Sequence, residues 1–172
     1  VLGYGNVMGV DMERFNPARF ADVKKDEKQF RYTFVGRIVG DKGINELVEA
    51  FERLNKEYPE TQLILVGKHE AAIDPVKPET LKHIDENPCI DACGSKYGED
   101  LLAEYVKSDC FVMPSYREGF PNTVMEAGAM GLPSVVTDIN GSREIIIHGE
   151  NGLIVPPKDS DSLYAAMKLM LL

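Results

Sequence analysis

The sequence predicts an α/β fold built on a doubly wound parallel sheet. Three observations carry this. Short apolar runs without the alternation of a half-exposed sheet recur along the chain, among them Leu63-Ile-Leu-Val66 and Phe111-Val-Met113; such runs read as strands buried on both faces. Stretches with apolar residues at helical spacing lie between them. The 172 residues suit one domain around one core. Strands alternating with helices imply right-handed βαβ units and a parallel sheet covered on both sides.

Taken in order, Tyr32-Thr-Phe-Val-Gly36 is the first strand, and Ile44, Leu47, Val48, Phe51 and Leu54 stripe a helix over 44–58. Gln62 to Gly67 is a second strand, leading through a proline-bearing loop to a helix over 79–86. Cys89 to Gly94 is a third strand, and Leu101, Leu102, Tyr105 and Val106 mark the helix after it. Cys110 to Met113 is a strand, Thr123 to Met130 a helix of small residues ending near Gly131, and Pro133 to Thr137 a strand. The turn signal Asn140-Gly141 precedes a short apolar run at 145–147 and a strand at 152–155. A last helix starts near Asp159, with Asp159 or Ser160 as its cap. Glycines at 3, 5 and 9, Pro17 and a charged stretch from Asp22 to Lys28 make residues 1–30 a connecting segment on the surface of a domain spanning 31–172. An opening of Val-Leu-Gly-Tyr-Gly and a stop at Leu172 within an apolar helical pattern lead us to expect a piece of a longer protein.

Composition narrows the function. A net charge of -9 argues against a nucleic-acid partner, which needs a concentrated basic surface. Cys89, Cys93 and Cys110 form no CxxC pair and fit core positions in a reducing compartment, so a cytoplasmic protein is expected. No apolar run approaches the ~20 residues of a membrane span. His69, His83 and His148 lie far apart, and no DxD or HExxH occurs, so no metal site is expected.

In open parallel sheets, ligands bind beyond the carboxyl ends of the strands. Two segments there carry chemistry. Gly36-Arg-Ile-Val-Gly-Asp-Lys-Gly43 sets glycines and two cations between a strand and a helix start. Its amides, Arg37 and Lys42 can hold an anion that the helix dipole already favours, and a diphosphate fits. An ordinary turn with solvated cations is the alternative, and the spacing is neither GxxxxGK[ST] nor GxGxxG. The second segment, Pro114 to Glu126, carries carboxylates at Glu118 and Glu126, eight positions apart, at the entry to a helix starting near Asn122. A carboxylate accepts paired sugar hydroxyls well, so one can take a hexose and the other a ribose, with amides at 121–123 facing the same crevice. Here the alternatives are a turn cap, a surface helix pair and Asn122 as a simple N-cap.

Glu118-Gly-Phe-Pro-Asn-Thr-Val-Met-Glu126 resembles the E-x7-E motif of family 4 retaining glycosyltransferases of the GT-B fold. Other stretches agree in order. Gly9-Val-Asp11 with Phe15 resembles the family's NGVDxxxF linker, although Val7 and Met8 separate Asn6 from Gly9. Phe34 to Ile44 resembles the donor-phosphate loop, Leu63 to Gly67 the LxLVG strand, Ala103 to Pro114 the YxxADxFVxPS run, and Gly141 to Pro156 the closing GxxExxxxGxNGxxVP pattern.

The resemblance implies the C-terminal, donor-binding lobe of a two-lobed retaining hexosyltransferase, with the acceptor lobe elsewhere. On that basis Arg37 and Lys42, beside Gly36, clamp the donor diphosphate and stabilise the leaving group. Glu118 takes hydroxyls of the transferred sugar and is, with Arg37 and Lys42, a catalytic residue. Glu126 takes the ribose, and Gly119, Phe120, Pro121 and the amides of Asn122 and Thr123 complete the donor cradle. The base is expected near Gly67-Lys68 and the loop from Ile90 to Lys96. No cofactor is implied: the leaving phosphate helps deprotonate the acceptor, and cationic side chains replace a metal. The donor is expected to be a UDP-hexose or UDP-N-acetylhexosamine. The acceptor is expected to be a glycan or lipid-linked sugar of capsule, lipopolysaccharide or other surface-polysaccharide assembly, bringing the longer protein to the inner face of the membrane. The isolated lobe is expected to bind nucleotide without transferring sugar. Rival readings are a UDP-sugar 2-epimerase of the same fold, a non-catalytic nucleotide-binding module and a receiver-type signalling domain.

Overall fold

The structure is a computed structural model that describes residues 9–172. Six strands, β1 (Phe30–Val35), β2 (Thr61–Val66), β3 (Ile90–Gly94), β4 (Cys110–Met113), β5 (Ser134–Thr137) and β6 (Gly152–Val155), form one sheet. It is parallel throughout, in the order β3-β2-β1-β4-β5-β6. The helices are α1 (Ile44–Glu57), α2 (Pro78–Glu86), α3 (Gly98–Lys107), α4 (Asn122–Ala129), α5 (Ser142–Ile145) and α6 (Ser160–Leu171). This is the expected doubly wound α/β fold.

The apolar runs form strands because both of their faces are covered. Leu63 to Val66 and all of β4 and β5 are buried. Helix α1 offers Ile44, Leu47, Val48, Phe51 and Leu54 to that core on one stripe, each such side chain contributing about 1.5–3 kcal/mol on burial. It packs on α2 and α6, while α4 packs on α5. Right-handed crossovers run outward in opposite directions from β1 and from β4, so these two groups lie on opposite faces. Asp159 caps α6 by accepting from Ser162 N at 2.9 Å, and the buried Tyr32 hydroxyl donates to the Met167 carbonyl at 2.7 Å, tying α6 to β1.

Two local features add to the sequence expectations. Asn140-Gly141, read as a turn, leads into the single helical turn of α5, which takes in the start of the apolar run at 145–147. Residues 36–43, read as loop, contain a 3-10 turn at Gly40–Lys42. As for the connecting segment, residues 1–8, Asn6 among them, lie outside the described residues. Beyond them Phe15 is buried in the core, and a 3-10 turn at Pro17–Phe20 lies against α3, where Arg19 pairs with Glu99 at 3.0 Å. No helix among the described residues is long and apolar enough to cross a membrane.

Candidate functional site

Strands β1 and β4 are neighbours, yet the chain leaves β1 toward β2 and leaves β4 toward β5. The loops after them therefore diverge and open a crevice at the switch point of the sheet. These are the loops at 36–43 and 114–121. Contacts between them, and from Tyr116 to α1, hold them together. Gly43, at φ 73°, lies so close to Pro114 that a Cβ would collide with the Pro114 carbonyl, so any other residue there forces the backbone to shift. Tyr116 N–H donates to the Asp41 carbonyl at 2.8 Å, and the Tyr116 hydroxyl donates to Glu46 at 2.7 Å.

Across this junction Lys42 Nζ lies 2.5 Å from Glu118 Oε1, both side chains being about 15% exposed. Ser115, fully buried, donates its hydroxyl to the same oxygen at 2.8 Å. Ser115 is itself held by Thr137 of β5, which donates to its carbonyl at 2.5 Å. The structure thus joins Lys42 to Glu118, with Arg37 on the same loop as Lys42. Arg37 stands on the outer side, half exposed, with only a loose contact to Glu70 at 3.6 Å.

Glu126 sits on the second turn of α4 and accepts from the Tyr105 hydroxyl at 3.0 Å. Burial holds its carboxyl above the ordinary range, an effect opposed by the Tyr105 hydrogen bond and the charge of Arg14. Pro121 occupies the cap position and has no N–H, so the first amides at the positive end of α4 are those of Asn122 and Thr123, while Val124 N–H bonds to the Pro121 carbonyl at 3.2 Å. That corrects the expectation of amides from 121 onward.

A cavity of about 260 Å³ opens beside Arg37, lined by Gly36, Gly67, Lys68, Lys96 and Tyr97 at the carboxyl ends of β1 to β3. Its floor is bare backbone: a Cβ on Gly67, at φ 155°, would strike the Gly36 carbonyl. A second cavity, about 290 Å³, lies on the Glu118 side, lined by Tyr116, Asn140 and Arg143 among others. The larger cavity of about 730 Å³ lies elsewhere, at the residues leading into β5, where Leu132, Pro133 and Met125 meet Val10. It is mainly apolar, with Glu150 as its one charged residue, so size does not mark the anion site. Two cations, a helix start and two carboxylates around bare backbone can hold a diphosphate and the hydroxyls on either side of it.

The sequence pattern of the family described as "Glycosyl transferases group 1" matches residues 16–172, nearly all of the chain. The chain belongs to the group 1 glycosyl transferases. The capsular polysaccharide biosynthesis glycosyltransferase CapM of Staphylococcus aureus is 31% identical over 166 residues, a match covering 92% of this chain and 42% of CapM. This group 1 chain therefore spans less than half the length of that relative. Its fold is that of a GT-B C-terminal domain. The C-terminal domain of the group 1 glycosyl transferase LpcC from Francisella tularensis superposes with TM-score 0.78 at 23% identity, over 95% of this chain and 88% of that one. Anabaena HepE, solved in complex with UDP-glucose, superposes with TM-score 0.79 at 21% identity, over 95% of this chain and 46% of HepE.

Within this group 1 domain, Gly36, Arg37, Lys42, Glu118, Gly119, Phe120, Pro121, Asn122, Thr123 and Glu126 lie on the two loops and on α4. Ile90 does not join them. It is buried at the amino end of β3, paired with Leu63, because the strand begins there and only Ser95 to Tyr97 of that stretch reach the cavity. His148 accepts from Ile154 N–H at 3.0 Å, as a turn histidine does, and Glu144 is exposed on α5. Sequence reasoning left out Ser115, Tyr116 and Tyr105, which hold the site from behind. Ser115 and Tyr116 had a signal in their position, on the loop that carries Glu118; Tyr105, on α3, had none.

Proposed function

We propose that residues 31–172 are the nucleotide-sugar domain of a retaining hexosyltransferase of the family 4 kind, with residues 1–30 as its connecting segment. The observation that carries this reading is the Lys42–Glu118 pair at the β1/β4 switch point, with Arg37 outside it and Glu126 behind the first amides of α4. On this reading Arg37, Lys42 and the amides of Asn122 and Thr123 take the donor diphosphate. Glu118, beside Gly119 and Phe120, takes hydroxyls of the transferred sugar, Glu126 takes the ribose, and the base lies over Gly67 toward Lys96 and Tyr97. As the sugar–phosphate bond breaks, charge collects on the leaving diphosphate, where Arg37 and Lys42 neutralise it. The same phosphate accepts the proton of the incoming hydroxyl, so no metal ion is called for.

UDP-hexose or UDP-N-acetylhexosamine is the donor favoured by the likeness to HepE, solved with UDP-glucose. A glycan or lipid-linked acceptor of surface-polysaccharide assembly is favoured by the identity with CapM. That acceptor is bound by the other lobe of the two-lobed fold, on the cytoplasmic side of the membrane, so transfer belongs to the longer protein and nucleotide binding to this domain. Calorimetric titration with UDP, GDP and ADP tests the reading. It requires saturable binding of one diphosphate, weakened by Arg37→Ala and by Glu126→Ala. Binding unaffected by both substitutions would place the nucleotide elsewhere.

A further inference from the structure

Tyr105 is fully buried on α3, its ring 6.0 Å from that of Phe111 on β4. A ring packed in a dense core cannot swing, so its hydroxyl is a fixed point. A buried tyrosine hydroxyl needs a partner, and this one spends its proton on Glu126 Oε2 at 3.0 Å. The bond joins α3 to α4, two helices separated in the chain by β4, and it reaches a carboxylate that burial alone would drive toward the neutral form. A carboxylate has two oxygens with about four acceptor positions. Fixing Oε2 from the protein side leaves Oε1 to meet a pair of ligand hydroxyls.

We infer that Tyr105 is the positioning residue of the ribose site, holding Glu126 in the rotamer and the charge state that accept the ribose hydroxyls. The inference rests on the proposed nucleotide-sugar reading. Tyr105 touches no ligand itself; it acts through Glu126. The charged and titratable groups facing Glu126 are Tyr105 from α3 and Arg14 from the segment before the first 3-10 turn. Without the hydroxyl, Arg14 alone opposes the effect of burial.

The experiment compares UDP with 2′-deoxy-UDP on the wild type, Tyr105→Phe, Glu126→Gln and the double variant, by titration calorimetry, with melting temperatures as the check on folding. Tyr105→Phe is expected to weaken UDP binding about tenfold, the scale of one hydrogen bond to a charged group. It should weaken 2′-deoxy-UDP distinctly less. In the Glu126→Gln background, Tyr105→Phe should add little, because the two act as one unit. Equal weakening of both ligands, or an undiminished effect in the Glu126→Gln background, overturns the positioning role while leaving the nucleotide site standing. Failure of the wild type to bind any UDP overturns the underlying reading instead. A binding loss that starts at higher pH in Tyr105→Phe than in the wild type would support the role independently of affinity.

Discussion

Lys42 Nζ lies 2.5 Å from Glu118 Oε1, so the cation expected to meet a donor phosphate is already paired with the carboxylate expected to meet the donor sugar. Both are largely sheltered from water, where charges interact more strongly. Removing one partner leaves the other sheltered and unbalanced. Lys42→Met is therefore expected to cost about 1–3 kcal/mol of folding stability. The double variant with Glu118→Gln should recover much of that loss. Urea unfolding of the four proteins measures the coupling, and strictly additive losses would show that the pair is not coupled.

Arg37 makes the opposite prediction. Half exposed and 3.6 Å from Glu70, it contributes little to the fold, as exposed pairs do. Arg37→Ala should leave the melting temperature almost unchanged while weakening diphosphate binding about tenfold or more. Added salt should erode wild-type affinity more than that of the variant.

Glu126 should show function opposing stability. Its folded-state pKa is raised, first by burial, with the Tyr105 bond and Arg14 working against the shift. A group raised in the folded state adds stability that is present below its unfolded value and lost as pH rises through its folded value. At neutral pH the ionised Glu126 is thus a burden on the fold. Glu126→Gln should raise the melting temperature at pH 7, flatten its fall over the window above about pH 4, and weaken nucleotide binding. For the wild type, affinity should decline on acidification at a higher pH than an ordinary carboxylate would give. A drop in melting temperature for Glu126→Gln at pH 7 would contradict this.

Gly43→Ala tests the junction of the two loops. Its φ of 73° and the collision of any Cβ with the Pro114 carbonyl demand backbone movement beside Lys42. A cost of about 1–3 kcal/mol is expected, together with weakened diphosphate binding, since Lys42 is the preceding residue. Circular dichroism melts and calorimetry on the same sample check both.

The strands were legible because burial on both faces removes every polar position from a run such as Leu63-Ile-Leu-Val66, and α1 because one stripe of Ile44, Leu47, Val48, Phe51 and Leu54 meets the core. The two charged loops were legible because a parallel sheet fixes which strand ends carry ligands. What escaped depends on contacts between distant residues. Nothing in the spacing of Tyr105 and Glu126 announces that α3 and α4 bring them to 3.0 Å. Phe15 lies in a glycine- and charge-rich segment, yet it is buried in the core. Ile90 lies in the strand expected over 89–94, but it was also taken as the start of the base-binding loop; the pairing with Leu63 puts it at the amino end of that strand, away from the carboxyl ends where the cavity opens.

Amide chemical-shift mapping of the labelled domain on titration with UDP tests the central claim most directly. The account predicts shifts confined to residues 36–43, 67–70, 95–97 and 114–126, the two loops and the strand ends beside them. Shifts gathered instead around Val10, Leu132 and Ile146, at the apolar cavity before β5, would contradict it.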